Sequence, residues 1–143
     1  MQIKIVRSGL IGLALASLLG SGALAETVTF KVNLNAQQQV PANDSKGTGT
    51  ADVTFDTATK TLNWTVSFSG LTGDATAAHF HGPAEAGKNA GVVVPIGNNP
   101  TSPATGSATL TDAQAADLMA GRMYINVHTA ANRGGEIRGQ VTK

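Results

Sequence analysis

Cysteine is missing from this 143-residue chain. Its absence removes disulfides, thiolate nucleophiles, thiolate metal sites and iron–sulfur clusters, and with them a lipidated N-terminal Cys. Charge is scarce as well: 13% of residues are charged and the formal net charge is +1. A chain this close to neutrality lacks the basic face that nucleic acid or an anionic membrane surface demands of a partner. Long hydrophobic runs are absent too. The longest, from Leu10 to Leu19, is roughly ten residues, about half of what spans a bilayer. No Ser/His/Asp or paired-carboxylate arrangement stands out, the acids being scattered through loops and turns, and there is no internal repeat, low-complexity tract or second domain.

The short apolar run has a function in its context. Lys4 and Arg7 precede it and small residues ending Ala23-Leu24-Ala25 follow, the three-part plan of a secretory signal peptide over residues 1–25, cut after Ala25. Removing it takes two bases and no acid, moving the formal charge from +1 to −1. The mature domain, residues 26–143, is long enough for one core. A soluble protein with a periplasmic or secreted location, and no membrane span after processing, is expected. Exported domains often rely on disulfides, so this one has to hold together by packing and hydrogen bonding alone.

From Thr27 onward the pattern has period two. Val28, Phe30, Val32 and Leu34 alternate with polar residues, as do Ala51, Val53 and Phe55 in "TADVTFD" and Leu62, Trp64, Val66 and Phe68 in "TLNWTVSFSG". Each is the signature of a strand with one face buried. "DTATK" joins the last two as a hairpin loop, and "ATAAHFHG", "GVVVPIG", "TGSATL", "RMYINVHT" and "GEIRGQVT" add further strands between loops rich in Gly, Pro, Asn and Ser. About eight short strands of this kind imply an all-β, antiparallel β-sandwich. One segment departs from the pattern: in "TDAQAADLMAG", Thr111 and Gln114 have capping-box spacing and Gly121 ends the run, which predicts one short connecting helix.

The chain has three histidines. Two of them, His79 and His81, are a single residue apart in "AAHFHGPA", before Gly82-Pro83 stops the strand. Residues two apart in a strand share a face, with Cα atoms roughly 6 to 7 Å apart. Phe80 and Ala78 claim the core face, so both imidazoles project away from it. In "MYINVHT" the apolar set is Met123, Ile125 and Val127, which turns Tyr124, Asn126 and His128 outward in the same sense. If the two strands are neighbours, His79, His81 and His128 form a three-nitrogen set on the sheet surface suited to a copper ion, Cu(II), or to zinc, with open positions for water or a ligand. The alternative is three solvent-facing polar residues.

The final hairpin adds three supporting candidates. With Ile137 and Val141 facing the core, a five-residue loop over residues 130–134 sets Glu136 opposite His128 and Arg138 opposite Asn126. Glu136 is then placed to orient an imidazole, with Asn126 and Arg138 beside it, in the way carboxylates commonly back metal-bound histidines. An ordinary cross-strand Glu–Arg pair on a wet surface is the competing account.

The segments "QQQVPANDSKGTGTADVTFD", "VSFSGLTG", "AAHFHGPAEAG" and "GRMYINVHTAANRGGEIRGQV" resemble, in order and spacing, the CHRD domain, a module named after chordin that also occurs as stand-alone exported bacterial proteins. The resemblance covers nearly the whole mature chain, and it implies a sandwich of immunoglobulin-like or Greek-key type. The domain is also similar in outline to copper-zinc superoxide dismutase, another Greek-key sandwich with an H-x-H strand pair. That enzyme's copper has four His ligands, and the three histidines of this chain do not reproduce the set. Three functions follow as expectations: first an exported metal-binding protein using His79, His81 and His128, then an extracytoplasmic protein-interaction module without metal, and last a metal-dependent redox enzyme.

Overall fold

The computed structural model describes Gly22 and residues 24–143. All but three residues of the expected signal peptide, residues 1–25, therefore lie outside the described residues. Eight strands follow: β1 (Thr27–Asn35), β2 (Thr48–Asp56), β3 (Thr61–Ser69), β4 (Ala75–His81), β5 (Val92–Asn98), β6 (Ala104–Thr109), β7 (Tyr124–Thr129) and β8 (Ile137–Gln140), with one helix, α1 (Asp112–Met119), between β6 and β7. They form a single antiparallel sheet in the order β5-β4-β7-β8-β1-β2-β3-β6. The edge strands β5 and β6 come near each other without pairing, so the sheet curls into a nearly closed, barrel-like shape. The all-β, antiparallel expectation is met. Where a Greek-key or immunoglobulin-like sandwich divides its strands between two sheets, the hydrogen-bond ladder here is continuous.

Alternation drives this architecture. Along β1 every second side chain is buried, and the same parity in β2 and β3 brings Phe30, Val53, Phe55, Leu62, Trp64 and Val66 inside. From the other half of the sheet come Phe80, Ile125, Val127 and Ile137, all fully buried. Trp64 and Phe80 meet edge to face across this core, with ring centroids 5.3 Å apart, a favoured aromatic geometry. The Trp64 ring has room because its cross-strand partner is Gly106, where a Cβ would stand 2.7 Å from Trp64 Cε2. Phe68 departs from expectation and is only partly buried. The β3–β6 ladder ends at Val66↔Ala104, so Phe68 lies beyond the cover of the neighbouring strand.

The helix starts as its capping box requires. Thr111 Oγ1 accepts from Gln114 N at 3.2 Å, and Gln114 Oε1 accepts from Thr111 N at 3.0 Å. Leu118 anchors it to the core, and Gly121 (φ 72°), in the left-handed region, turns the chain into β7. In the β2–β3 hairpin, Asp56 Oδ1 accepts from Ala58 N and Thr59 N, closing the "DTATK" loop.

Candidate metal centre

β4 and β7 pair directly, with His79 opposite Asn126, His81 opposite Tyr124 and Ala77 opposite His128. Ala78 and Phe80 are fully buried in the core, so His79 and His81 point to the other face, as parity requires. His128 is diagonal to His79 on that face. The β4–β5 ladder is irregular at both histidines, between Ala78 and His79 and between Phe80 and His81. Such breaks in register re-aim side chains. Ring centroids lie 5.4 Å apart for His79 and His81, 5.0 Å for His79 and His128, and 6.1 Å for His81 and His128. One nitrogen from each ring falls within 4.8 Å of the others, and no carboxylate belongs to the group.

Hydrogen bonds select which nitrogens converge. His81 Nδ1 donates to Ala90 O at 2.9 Å and His128 Nδ1 donates to Arg133 O at 2.7 Å, since a carbonyl only accepts. In its neutral form each ring therefore carries the proton on Nδ1 and presents the lone pair of Nε2. His128 Nε2 meets His79 Nδ1 at 3.2 Å, and His81 Nε2 is buried with no partner. Backbone carbonyls that fix imidazole tautomers in this way typically stand behind metal-bound histidines. Burial lowers the pKa of His79, helped by the positive charge of neighbouring His128 and His81. Burial is also the main cause lowering that of His81, with the Ala90 carbonyl opposing it. Both effects favour the neutral, ligating form.

The face expected to be wet is covered. His81 is 8% exposed, Asn126 2%, Arg138 1% and Glu136 0%, while His79 and His128 are half-buried. The cover is the segment from Gly82 to Gly91, which folds back over β4, β7 and β8. Tyr124 and Gln140, two residues that sequence reading left without a role, hold it down. Tyr124 Oη bonds both N and O of Ala90, and Gln140 Nε2 donates to Ala84 O at 2.8 Å. The Tyr124 ring stacks on His81, centroids 4.9 Å apart and planes 3° from parallel. On the β8 side Arg138 Cζ sits 3.5 Å from the Tyr124 centroid, a cation–π contact. Arg138 donates to Lys88 O at 2.7 Å and Asn89 Oδ1 at 3.2 Å, with Glu85 O and Gln140 Oε1 at 3.4 Å. A buried guanidinium needs such partners, and here all of them are neutral.

Asn126 and Arg138 pair across β7 and β8 as the loop length predicts. Arg138 reaches the histidine cluster through Tyr124 and the covering segment, and is not an exposed partner of Glu136. Asn126 favours the charged form of His81, yet no well-formed hydrogen bond joins them, and Asn126 Oδ1 and His81 Nε2 are both buried and unpartnered. Glu136 does not orient His128, contrary to expectation. β8 begins one residue later, Glu136 N donates to Val127 O, and the carboxylate turns away from the histidines. It accepts from Thr72 N and Thr72 Oγ1 at 2.8 Å, Thr129 Oγ1 at 2.6 Å and Ser45 Oγ at 2.5 Å. Burial alone would raise its pKa, but the hydrogen bonds outweigh it and hold the carboxyl at about 2. Gly135, at φ 121°, makes this bend possible, because a Cβ there would collide with the Gln39 amide and stand 2.8 Å from Asn126 Nδ2.

No helix among the described residues is long and apolar enough to cross a membrane. No significant match was found among curated proteins or solved structures. A sequence model of the CHRD domain matches residues 30–141, a span that contains β2 to β8, most of β1, all three histidines and the segment that covers them, and the chain accordingly belongs to the CHRD domain family.

Proposed function

We propose that this CHRD domain is an exported, periplasmic or secreted metal-binding module that holds Cu(II) or Zn(II) through His79, His81 and His128. The observation that carries the reading is the convergence of three imidazole nitrogens within 4.8 Å, with two tautomers set by backbone carbonyls and His81 Nε2 buried without a partner. The donor atoms would be Nε2 of His81 and His128 and Nδ1 of His79, whose ring takes the tautomer protonated on Nε2 when metal binds and so stays neutral. Three nitrogens leave a position open, and an all-nitrogen set favours Cu(II) in the order of divalent metals. The experiment is calorimetric titration of the wild type and of His79→Ala, His81→Ala and His128→Ala with each metal. Each substitution is expected to cost more than the about 10- to 100-fold that follows loss of a residue behind a ligand. Equal affinity in wild type and His128→Ala, or no uptake by the wild type near neutral pH, rejects the reading. Family membership favours a second one in that event, an extracytoplasmic protein-interaction module that works without metal.

A further inference from the structure

We infer that the three-histidine site takes a small monovalent anion together with its metal, admitted through the pocket that Arg133 borders. The inference rests on the metal reading above and concerns the charge that the metal would bring. All three donors are neutral imidazoles, and no carboxylate belongs to the cluster. Glu136, the acid nearest in strand register, is committed to Ser45, Thr72 and Thr129. The fixed charge that does act on the site is positive. Arg138 lies across the Tyr124 ring from His81, paired only with neutral oxygens. A dication half-buried in such surroundings carries uncompensated charge, which an anionic fourth ligand relieves.

Geometry says where that ligand enters. The His81 side is closed by the Gly82–Gly91 segment, whose Ala90 carbonyl caps the ring. On the opposite side His79 and His128 line a surface pocket with Thr76, Ala77, Ala130 and Arg133. Arg133 is tied to the site because its own carbonyl accepts from His128 Nδ1, and its exposed guanidinium is free to meet an anion at the pocket mouth. The small lining residues leave space for a ligand with a single donor atom, such as chloride, azide or a short carboxylate. Metal and anion then bind with mutual reinforcement: each raises the affinity of the other by the same factor.

The test loads the full mature protein with Cu(II) in perchlorate buffer and titrates azide, following the azide-to-copper charge-transfer band. Wild type is expected to give a saturable band, and Arg133→Gln to weaken azide binding about tenfold, the scale of one charge-assisted hydrogen bond. Copper affinity without azide is measured separately by calorimetry. Azide binding is then compared at full copper occupancy of each protein, so that a change in copper affinity does not enter the comparison. Copper uptake without a saturable azide band, or equal azide affinity in both proteins, overturns the anion site and leaves the metal reading intact. Failure of the wild type to take copper at all overturns both.

Discussion

Replacing Glu136 with Gln removes a charge that the fold has surrounded with donors. The wild-type carboxylate is fully buried and accepts four hydrogen bonds, from Ser45, Thr129 and two groups of Thr72. Its pKa is about 2 in the folded protein, against 4.5 for an ordinary Glu. The folded state thus binds fewer protons than the unfolded state between these values, and stability rises with pH across that window. At about 1.4 kcal/mol for each pH unit, a shift from 4.5 to about 2 makes the ionised carboxylate contribute about 3 to 4 kcal/mol above pH 4.5, nearly all of it lost as the pH falls through 2. The glutamine amide has no proton to exchange, and with its oxygen kept towards Thr72 N its N–H₂ group faces the Thr72 and Thr129 hydroxyls that donated to the carboxylate, so the substitution is destabilising at neutral pH as well. Urea unfolding followed by Trp64 fluorescence, at several pH values from about 7 to 2, measures both effects. The stability gap between wild type and Glu136→Gln is expected to be largest above pH 4.5 and to shrink by about 2 kcal/mol or more toward pH 2. A gap that stays constant across the range would refute the assignment of this proton-linked stability to Glu136.

Two further outcomes follow from the same structure. Trp64→Ala, which removes a buried ring packed on Phe80 and over Gly106, should cost about 3 to 5 kcal/mol, and an unchanged denaturation midpoint would show that the ring does not fill the core. Metal affinity should fall on acidification, because protonated imidazole cannot ligate, while burial lowers the pKa of His79 and His81 and delays the loss; titrations at about pH 7.5, 6.5 and 5.5 that show affinity unchanged throughout would contradict this.

Side-chain alternation made the histidine set legible from the sequence. It assigned Phe80 and Val127 to the core and thereby turned His79, His81 and His128 to one face. The capping-box spacing of Thr111 and Gln114 likewise located the helix, and the loop length gave the Asn126↔Arg138 register. What parity cannot reveal is whether the second face is wet. The Gly82–Gly91 segment is held there through the carbonyls of Ala84, Lys88 and Ala90, groups that every residue carries and no sequence pattern marks. Glu136 escaped for a related reason. Its partners Ser45 and Thr72 are in loops far away in the chain, and the start of β8 at Ile137 leaves Glu136 outside the ladder, free to turn towards them. The continuity of the sheet was hidden too, because strand order is a long-range property, as in the contact of Asn35 with Arg138.

That same strand order governs how the protein reaches its native state. β1, β2 and β3 form a local meander, but β4 must wait for β7, and β8 must return to β1 from the other end of the chain. Folds dominated by such distant pairings close in about milliseconds to seconds, whereas helical bundles of similar size take microseconds to milliseconds. His79 and His81 are adjacent as soon as β4 is extended, yet His128 joins them only when β7 has docked. Docking of β7 completes the trio and brings Tyr124 into position under the Gly82–Gly91 segment, so the site depends on the long-range pairing of β4 with β7.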